Sequence, residues 1–150
     1  MSVPRQYATF TVGGHYIGID VLEVQEVLYQ QRITPVPLAP EVIAGLLNLR
    51  GQIVPEIDLH RLLRLPPRSP DAPRFSVVVH SAEGTVSLLM DEIDDVLQVD
   101  AASFEEAPPN VRPEVRDLLA GVHKLQGRLL LVLDTSRALN VGARQRGKED

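Results

Sequence analysis

The 150-residue sequence predicts an all-β protein in which two small barrels pack together, with a few short helical segments. Short apolar stretches alternate with glycine turns along the whole chain, as strands of a barrel do. A 20-residue stretch recurs at an offset of 76 residues with seven identities. A proline-rich connector, Leu65–Arg74, separates the two copies and has the composition of a semi-rigid linker.

Composition and charge exclude several classes of protein. The chain is 44% hydrophobic and 23% charged, which is typical of a folded globular protein. Its net charge of −5 and aromatic content of 4% argue against nucleic-acid binding, which needs basic surface or stacking rings. The absence of cysteine excludes disulfides and thiolate metal sites. Neither a signal peptide nor a long apolar span is visible, so we expect a cytoplasmic protein.

The first copy contains two predicted hairpins. Residues 7–12 and 15–20 are predicted to be the two strands of the first, on either side of Gly13-Gly14, which supplies the positive φ of a tight turn. A loop with three prolines follows at residues 33–41 and is predicted to be extended. The segment "NLRGQIVPEIDL" (residues 48–59) then predicts a strand, a turn at Arg50-Gly51 and a second strand. Asp58 is placed to cap a short helix.

Two segments with helical spacing are predicted to form one or two turns of helix. In each, three apolar residues recur at i, i+3 and i+4. They are Val24, Val27 and Leu28 in the first copy, and Ile93, Val96 and Leu97 in the second. Core packing explains such a stripe in most small domains, so core and partner contact remain equally open for Val24.

The second copy repeats this organisation. Strands are predicted at 75–80 and 85–91 around Gly84, a proline-interrupted passage follows, and residues 121–139 close the core. We therefore divide a single domain, 1–150, into units 5–64 and 75–140, each taken as one barrel. The polar tail, 141–150, is expected to fray.

The repeat separates structural residues from candidate functional residues. Residues 44–63 align with residues 120–139 without a gap, which pairs Gly51 with Gly127 as turn residues and Asp58 with Asp134 as helix caps. Arg50 has no such counterpart, because Gln126 occupies its place. A unit of about 70 residues alone would be marginally stable. The two units should therefore share an apolar interface, and the seam between them is a natural groove for a partner.

The sequences "VQEV" (residues 24–27) and "NLRGQIVPEIDLHRLL" together resemble the signature of the CheW family of bacterial chemotaxis coupling proteins, and the resemblance extends over nearly the whole chain. It implies two packed SH3-like barrels of five strands, between which strands can be exchanged. It also implies a non-catalytic scaffold without cofactor, monomeric when free. Its partners would be the regulatory domain of the histidine kinase CheA and the cytoplasmic tips of methyl-accepting chemoreceptors.

The resemblance also assigns residues to binding surfaces. Glu26 and Arg50 match a family ion pair beside the receptor site. An exposed ion pair adds only about 0.2–1 kcal/mol to stability, whereas an arginine offers a partner a fixed fork of donors. The other residues placed by the resemblance at the receptor-facing surface are Val24, Gly45, Ser87, Ile93 and Val96. Val27 and Leu28 are assigned to the kinase. Two departures from the family are Glu56, at an often apolar position, and Ser87, where glycine is common.

Alternative functions remain open at this point. An adaptor of a related chemosensory pathway, such as twitching, fits the same residues, and a detached regulatory domain of the kinase fits less well. An aspartic-protease-like hydrolase would pair Asp58 with Asp134. However, the sequences Asp58-Leu59-His60 and Asp134-Thr135-Ser136 both lack the glycine of that motif.

No metal site is predicted. The four histidines are scattered, and "DEIDD" (residues 91–95) lacks the turn glycine of a calcium loop. We interpret those acids as a solvated edge, and we expect His60 on an exposed face of a short helix.

Overall fold

The computed structural model describes residues 4–82 and 84–140, and these residues fold into two β-sheets with a few short helices. The strands are β1 (Pro4–Val12), β2 (His15–Asp20), β3 (Val24–Tyr29), β4 (Ile43–Leu49), β5 (Gln52–Asp58), β6 (Phe75–Ser81), β7 (Gly84–Met90), β8 (Glu92–Ile93), β9 (Leu97–Asp100), β10 (Phe104–Glu105), β11 (Leu119–Leu125) and β12 (Arg128–Leu133). The helices are α1 (Leu59–Leu62), α2 (Pro113–Arg116), the 3-10 turns Val21–Glu23 and Ala101–Ser103, and residues 135–140. The tail that was expected to fray, 141–150, lies outside the described residues.

The all-β prediction is confirmed, and each sheet is barrel-like. One sheet has the order β3-β6-β7-β5-β4, and the other has the order β10-β11-β12-β2-β1-β8 with β9 also paired to β1. Apart from β8 and β10, which have two residues each, both sheets contain five strands.

Strands are exchanged between the two sequence units. The β1–β2 hairpin joins the second unit through parallel pairing of β2 with β12, and the β6–β7 hairpin joins the first unit through parallel pairing of β7 with β5. β3 lies along β6, and β9 lies along β1. Each sheet therefore takes strands from both units, so the boundaries 5–64 and 75–140 do not coincide with the boundaries of the sheets.

The largest apolar cluster lies between the two sheets. It joins Phe10 and Ile17 of one sheet to Ile57, Val77 and Leu88 of the other. Side chains alternate along a strand, so the opposite faces carry two smaller clusters, one around Tyr7 and Leu130 and one around Leu47 and Val54. The two units thus share their main core, as the repeat predicts.

The predicted helical turns are largely wrong. Only Val21–Glu23 is helical in the first segment, and Val24, Val27 and Leu28 lie in β3. In the second segment β8 and β9 replace the helix. Both segments pair with strands far along the chain, and this pairing overrides the local spacing. Their valines and isoleucines also favour strands over helices.

The predicted turns and caps are confirmed. Gly13 and Gly14 have φ of 53° and 84° in the β1–β2 turn. Gly51 and Gly127 occupy the equivalent hairpin turns with φ of 89° and 84°. Asp58 Oδ1 accepts a hydrogen bond from the backbone of His60 at 2.9 Å, as an N-cap does.

Candidate functional site

Arg50 lies at the tip of the β4–β5 hairpin. Its φ is +51° and that of Gly51 is +89°, and positive values at both positions define a type I′ turn. Asn48 Oδ1 accepts a hydrogen bond from the Gly51 backbone N–H at 2.9 Å and fixes the turn. The left-handed conformation costs a residue such as arginine about 1–2 kcal/mol. The sequence thus holds an arginine where its backbone is strained and its side chain is 74% exposed.

Glu26 holds the Arg50 guanidinium in a two-pronged ion pair. Arg50 Nη1 donates to Glu26 Oε2 at 3.0 Å, and Nη2 donates to Oε1 at 2.8 Å. β3, which carries Glu26, and β4, which precedes Arg50, are the two edge strands of the five-stranded sheet. The pair therefore joins the two edges at one end of the barrel. The contact implied by the resemblance is present.

Exposed apolar side chains lie on β3, the edge strand that carries Glu26, and on β5, which follows the Arg50 turn. Val27 and Tyr29 on β3 are 37% and 51% exposed, and Ile53 on β5 is 56% exposed. Leu28, on the other face of β3, packs against the cluster around Leu47 and Val54. Sequence reasoning assigned Leu28 to the kinase and did not single out Ile53 or Tyr29. Strand alternation provides the missing signal, because Ile53 and buried Val54 must face opposite sides.

Gly45 and Ser87 do not lie on a surface. A Cβ atom at Gly45 would lie 2.5 Å from the backbone O of Thr34, because residue 34 bridges to Leu46 across this position. Gly121 has the same place in the repeat and would meet Glu105 O at 2.6 Å. Ser87 is fully buried and lies in register with Glu56. Both residues that were predicted to face a receptor therefore lie beneath the surface.

Glu56 is a carboxyl group buried inside the five-stranded barrel. It has no exposed surface, and Ser76 Oγ donates a hydrogen bond to Glu56 Oε1 at 2.8 Å. Burial raises the pKa of Glu56, and the hydrogen bond from Ser76 and the charges of Arg74 and Arg68 only partly oppose this effect. Ser87 Oγ and Glu56 Oε2 are both buried without a hydrogen-bond partner among the described residues. The two departures from the family, Glu56 and Ser87, thus form one polar site within an apolar interior.

Ile93 and Val96 lie in the region of the other sheet. Ile93 pairs with Phe10 of β1 and is 44% exposed, and Val96 follows in a loop and is 62% exposed. Thr9 anchors this loop, since its Oγ1 donates to Asp95 O and its carbonyl accepts from Asp94 N at 2.8 Å. Val24 is partly buried against the cluster between the sheets. Glu26 and Arg50 are in direct contact, whereas Ile93 and Val96 offer exposed apolar surface on the second sheet.

The expected positions of His60 and of the acidic segment are wrong in part. His60 is 7% exposed; its Nε2 lies 2.8 Å from Asp91 Oδ2, and its Nδ1 lies 2.9 Å from Pro66 O. Asp91 also accepts hydrogen bonds from Gly13 N and Arg68 Nε, both at 2.8 Å. Burial alone would raise the pKa of Asp91, but the hydrogen bonds from Gly13, His60 and Arg68 outweigh it and lower the pKa. This network ties the connector to both sheets.

Asp58 and Asp134 each cap the N-terminus of the helix that follows it. Asp134 Oδ1 accepts from Arg137 N at 3.1 Å, and each aspartate pairs with the arginine three residues later. Within residues 4–82 and 84–140, no group of three or more acidic or histidine side chains has the arrangement of a metal site. In the same part of the chain, no helix has the length and apolar character needed to cross a membrane.

Comparison with known proteins identifies the family. Residues 6–142 match the sequence profile of the CheW-like domain. The chain belongs to the CheW-like family. A chemotaxis protein CheW from Klebsiella aerogenes is 31% identical over 139 residues, which cover 93% of this chain and 84% of the relative. One from Bacillus subtilis is 29% identical over 141 residues, or 94% of this chain and 90% of the relative.

A solved structure shows the same CheW-like fold. The scaffolding protein TtCheW from Thermoanaerobacter tengcongensis matches with a TM-score of 0.80 and 27% identity. The match covers 88% of this chain and 90% of that chain. The family and the two-barrel fold inferred from "VQEV" and "NLRG" are therefore confirmed.

Proposed function

We propose that this protein is a non-catalytic adaptor that couples the cytoplasmic tips of chemoreceptors to the histidine kinase CheA in chemotaxis-type signalling. The observation that carries the proposal is the Arg50–Glu26 pair, a guanidinium that is 74% exposed yet held by two hydrogen bonds. Such a pair contributes little to stability. It does present remaining N–H donors in a fixed direction to a partner carbonyl or carboxylate.

Exposed apolar side chains on both sheets support the assignment of two partners. Val24, Ile93 and Val96 would contribute to receptor contact with Arg50, while Gly45 and Ser87 support that surface from within. Exposed Val27 would contact the kinase, and Leu28 would hold β3 in place beneath it. Tyrosine and arginine are enriched in binding hot spots, and Tyr29, which is 51% exposed, lies on the same strand as Glu26.

The adaptor function sets simple energetic requirements. Each interface is expected to have the standard size of about 1,200–2,000 Å². A micromolar dissociation constant, about −8 kcal/mol, is sufficient because receptor arrays add avidity. For signals to pass, the adaptor must bind the two signalling states of the receptor with different affinities.

The test is the substitution Arg50→Ala. We expect it to reduce recovery of the adaptor with receptor membranes and kinase in co-sedimentation, because the oriented donors are lost. The fold should persist, since an exposed pair is worth at most about 1 kcal/mol. Lys124→Ala is the matched control, because Lys124 is an exposed cation on the equivalent hairpin, paired with Glu105 at 3.7 Å. Normal assembly of Arg50→Ala would refute the role given to Arg50.

The absence of catalysis is tested separately. We expect no cleavage of a fluorogenic peptide at acid pH, where an aspartate pair sharing one proton is active. Hydrolysis that disappears in Asp58→Asn would contradict a non-catalytic function. A pull-down from cell extract, with the kinase and receptor identified by mass spectrometry, would assign the pathway.

A further inference from the structure

A pocket of about 340 Å³ lies against the seven-stranded sheet. It is lined by residues 14–16 of the first hairpin, by residues 110–112 and Val115 at the start of α2, and by three residues of β12. None of the residues assigned above to receptor or kinase contact lines it. A ligand here would therefore occupy a surface separate from the proposed adaptor contacts.

One positive charge in this pocket has no carboxylate to balance it. The lining contains the side chains of Arg112, Arg128 and His15, and it contains no aspartate or glutamate. Arg128 is balanced in part by Asp94, whose Oδ2 lies 3.5 Å from Nη2. Arg112 Nη2 donates a hydrogen bond to the neutral carbonyl of Leu63 at 2.9 Å, and Arg112 forms no ion pair with any described residue. Its charge is therefore free to attract an anion.

The half-buried imidazole of His15 reports the same unbalanced charge. Burial lowers the pKa of His15, and the Arg112 guanidinium lowers it further. The ring is therefore neutral at pH 7, with one nitrogen as a donor and the other as an acceptor. Within residues 4–82 and 84–140 this ring makes no hydrogen bond. An anion beside Arg112 could thus also accept a hydrogen bond from His15.

The floor of the pocket is apolar and well packed. It consists of Val111, Val115, Leu129 and Leu131. Val115 and Leu131 are 2% and 5% exposed and belong to the cluster between the sheets, and the other two pack against that cluster. Tyr16 forms a wall, and the Arg128 guanidinium lies 3.5 Å from the centroid of its ring. This floor would contact a hydrocarbon group rather than a second charge.

The segment that leads into α2 is fixed before any ligand binds. Arg116 Nη2 donates to Pro109 O at 2.8 Å and to Val111 O at 2.7 Å. Val111 N in turn donates to Pro108 O at 3.0 Å. Both prolines restrict the backbone further. Binding would therefore need little ordering of this wall, which favours affinity.

The size of the pocket indicates a small ligand, because about 340 Å³ is near the lower end of the roughly 300–1,000 Å³ of small-molecule pockets. A bare inorganic anion would leave the apolar floor in water, and a neutral apolar molecule would leave Arg112 without a counter-ion. We propose that the pocket binds an apolar carboxylate, with the carboxylate on Arg112 and the hydrocarbon group on the floor. A free carboxylic acid and the C-terminal residue of a polypeptide share this chemistry.

The experiment titrates the full-length, nitrogen-15-labelled protein with 3-phenylpropionate and follows the backbone amides by NMR. We expect shifts centred on residues 14–16 and 110–112, with a dissociation constant of about 1 mM or below, as for small ligands of ordinary efficiency per atom. 3-Phenylpropanol has the same ring without the charge, and propionate has the charge without the ring. Each should bind about tenfold or more weakly than the acid.

Two variants separate the charge from the floor. Arg112→Gln should weaken binding of the acid by about tenfold or more and leave binding of the alcohol unchanged. Leu129→Ala should weaken binding of both, because it removes part of the floor. Arg50→Gln makes the same change of charge outside the pocket and should retain wild-type affinity. The amide spectrum of each free variant checks its fold, and the comparison of acid with alcohol on the wild-type protein needs no variant.

A short peptide that ends in phenylalanine identifies the source of the carboxylate. Tighter binding of this peptide than of 3-phenylpropionate, at the same amides and lost on C-terminal amidation, would support the site and assign it to a chain terminus. Binding of the small acid alone would support the site and assign it to a free acid.

Four results would overturn the proposal. One is equal affinity for 3-phenylpropanol, and another is equal affinity for propionate, which would indicate an adventitious ion only. A third is unchanged affinity of the acid in a folded Arg112→Gln variant. The last is a set of shifts centred around Arg50 or lost in Arg50→Gln, which would place the ligand on the surface proposed for the receptor.

Discussion

The substitution Leu88→Ala tests whether the two barrels depend on one shared core. Leu88 lies in β7, has no exposed surface and belongs to the cluster between the sheets. The change removes three carbon atoms, worth about 0.8 kcal/mol each in lost burial. The cavity left behind adds to this, so we expect a total near 3 kcal/mol, within the range of about 2–5 kcal/mol for such substitutions.

The assay combines urea unfolding with amide hydrogen exchange. Unfolding should remain a single transition at a lower midpoint, and the melting temperature should fall by roughly 6–12 °C at about 2–4 °C per kcal/mol. Protection should decrease in β1 and β2 of one sheet as much as in β6 and β7 of the other. Leu38→Ala removes the same atoms from a side chain that is 94% exposed, and should change stability by less than about 0.5 kcal/mol.

The reasoning would be refuted by independent behaviour of the two sheets. If Leu88→Ala removed protection from the five-stranded sheet alone, the cluster between the sheets would not couple them. Two separate unfolding transitions would lead to the same conclusion.

Three further predictions concern single residues. The pKa of Glu56 is raised in the folded state, so the stability of the folded protein that depends on protonated Glu56 is complete below the unfolded pKa and is lost as pH rises through the folded pKa. Glu56→Gln should therefore stabilise the protein increasingly from pH 4 towards neutral pH in thermal melts. A difference from wild type that does not depend on pH would contradict this. Gly45→Ala should destabilise the protein by about 1–3 kcal/mol in urea unfolding, because the new Cβ would meet the Thr34 backbone. An unchanged unfolding midpoint would show that residues 33–34 can move aside with no loss of stability. Asp134→Ala should cost about 1 kcal/mol through loss of the cap, and a stability equal to wild type would remove that role.

Local chemistry made part of the fold predictable. Gly13, Gly14 and Gly51 mark hairpins because their positive φ is rarely accessible to other residues. Asp58 marks a helix start because its side chain satisfies a free backbone donor. The repeat also predicted the shared core, because one unit alone is too small to be more than marginally stable.

Long-range pairing made the rest unpredictable. The segment around Val24 and Leu28 has helical spacing, yet it forms β3 because β6, some fifty residues later, offers an open edge. His60 was expected at the surface, but it is buried against Pro66 O and Asp91. Both partners come from other elements, so the local sequence does not indicate them. Gly45 was assigned to a surface that the chain itself covers with Thr34. Contacts between distant segments determine burial, and no local pattern reports them.

The exchange of strands has a consequence for synthesis on the ribosome. When the first unit emerges, β2 has no parallel neighbour until β12 is made, and β5 has none until β7 is made. Nascent chains would therefore expose unpaired strand edges and apolar faces until β12 has been made, which invites aggregation. Chaperone demand should consequently be highest for ribosomes stalled just before residue 128 and should fall sharply once β12 is released.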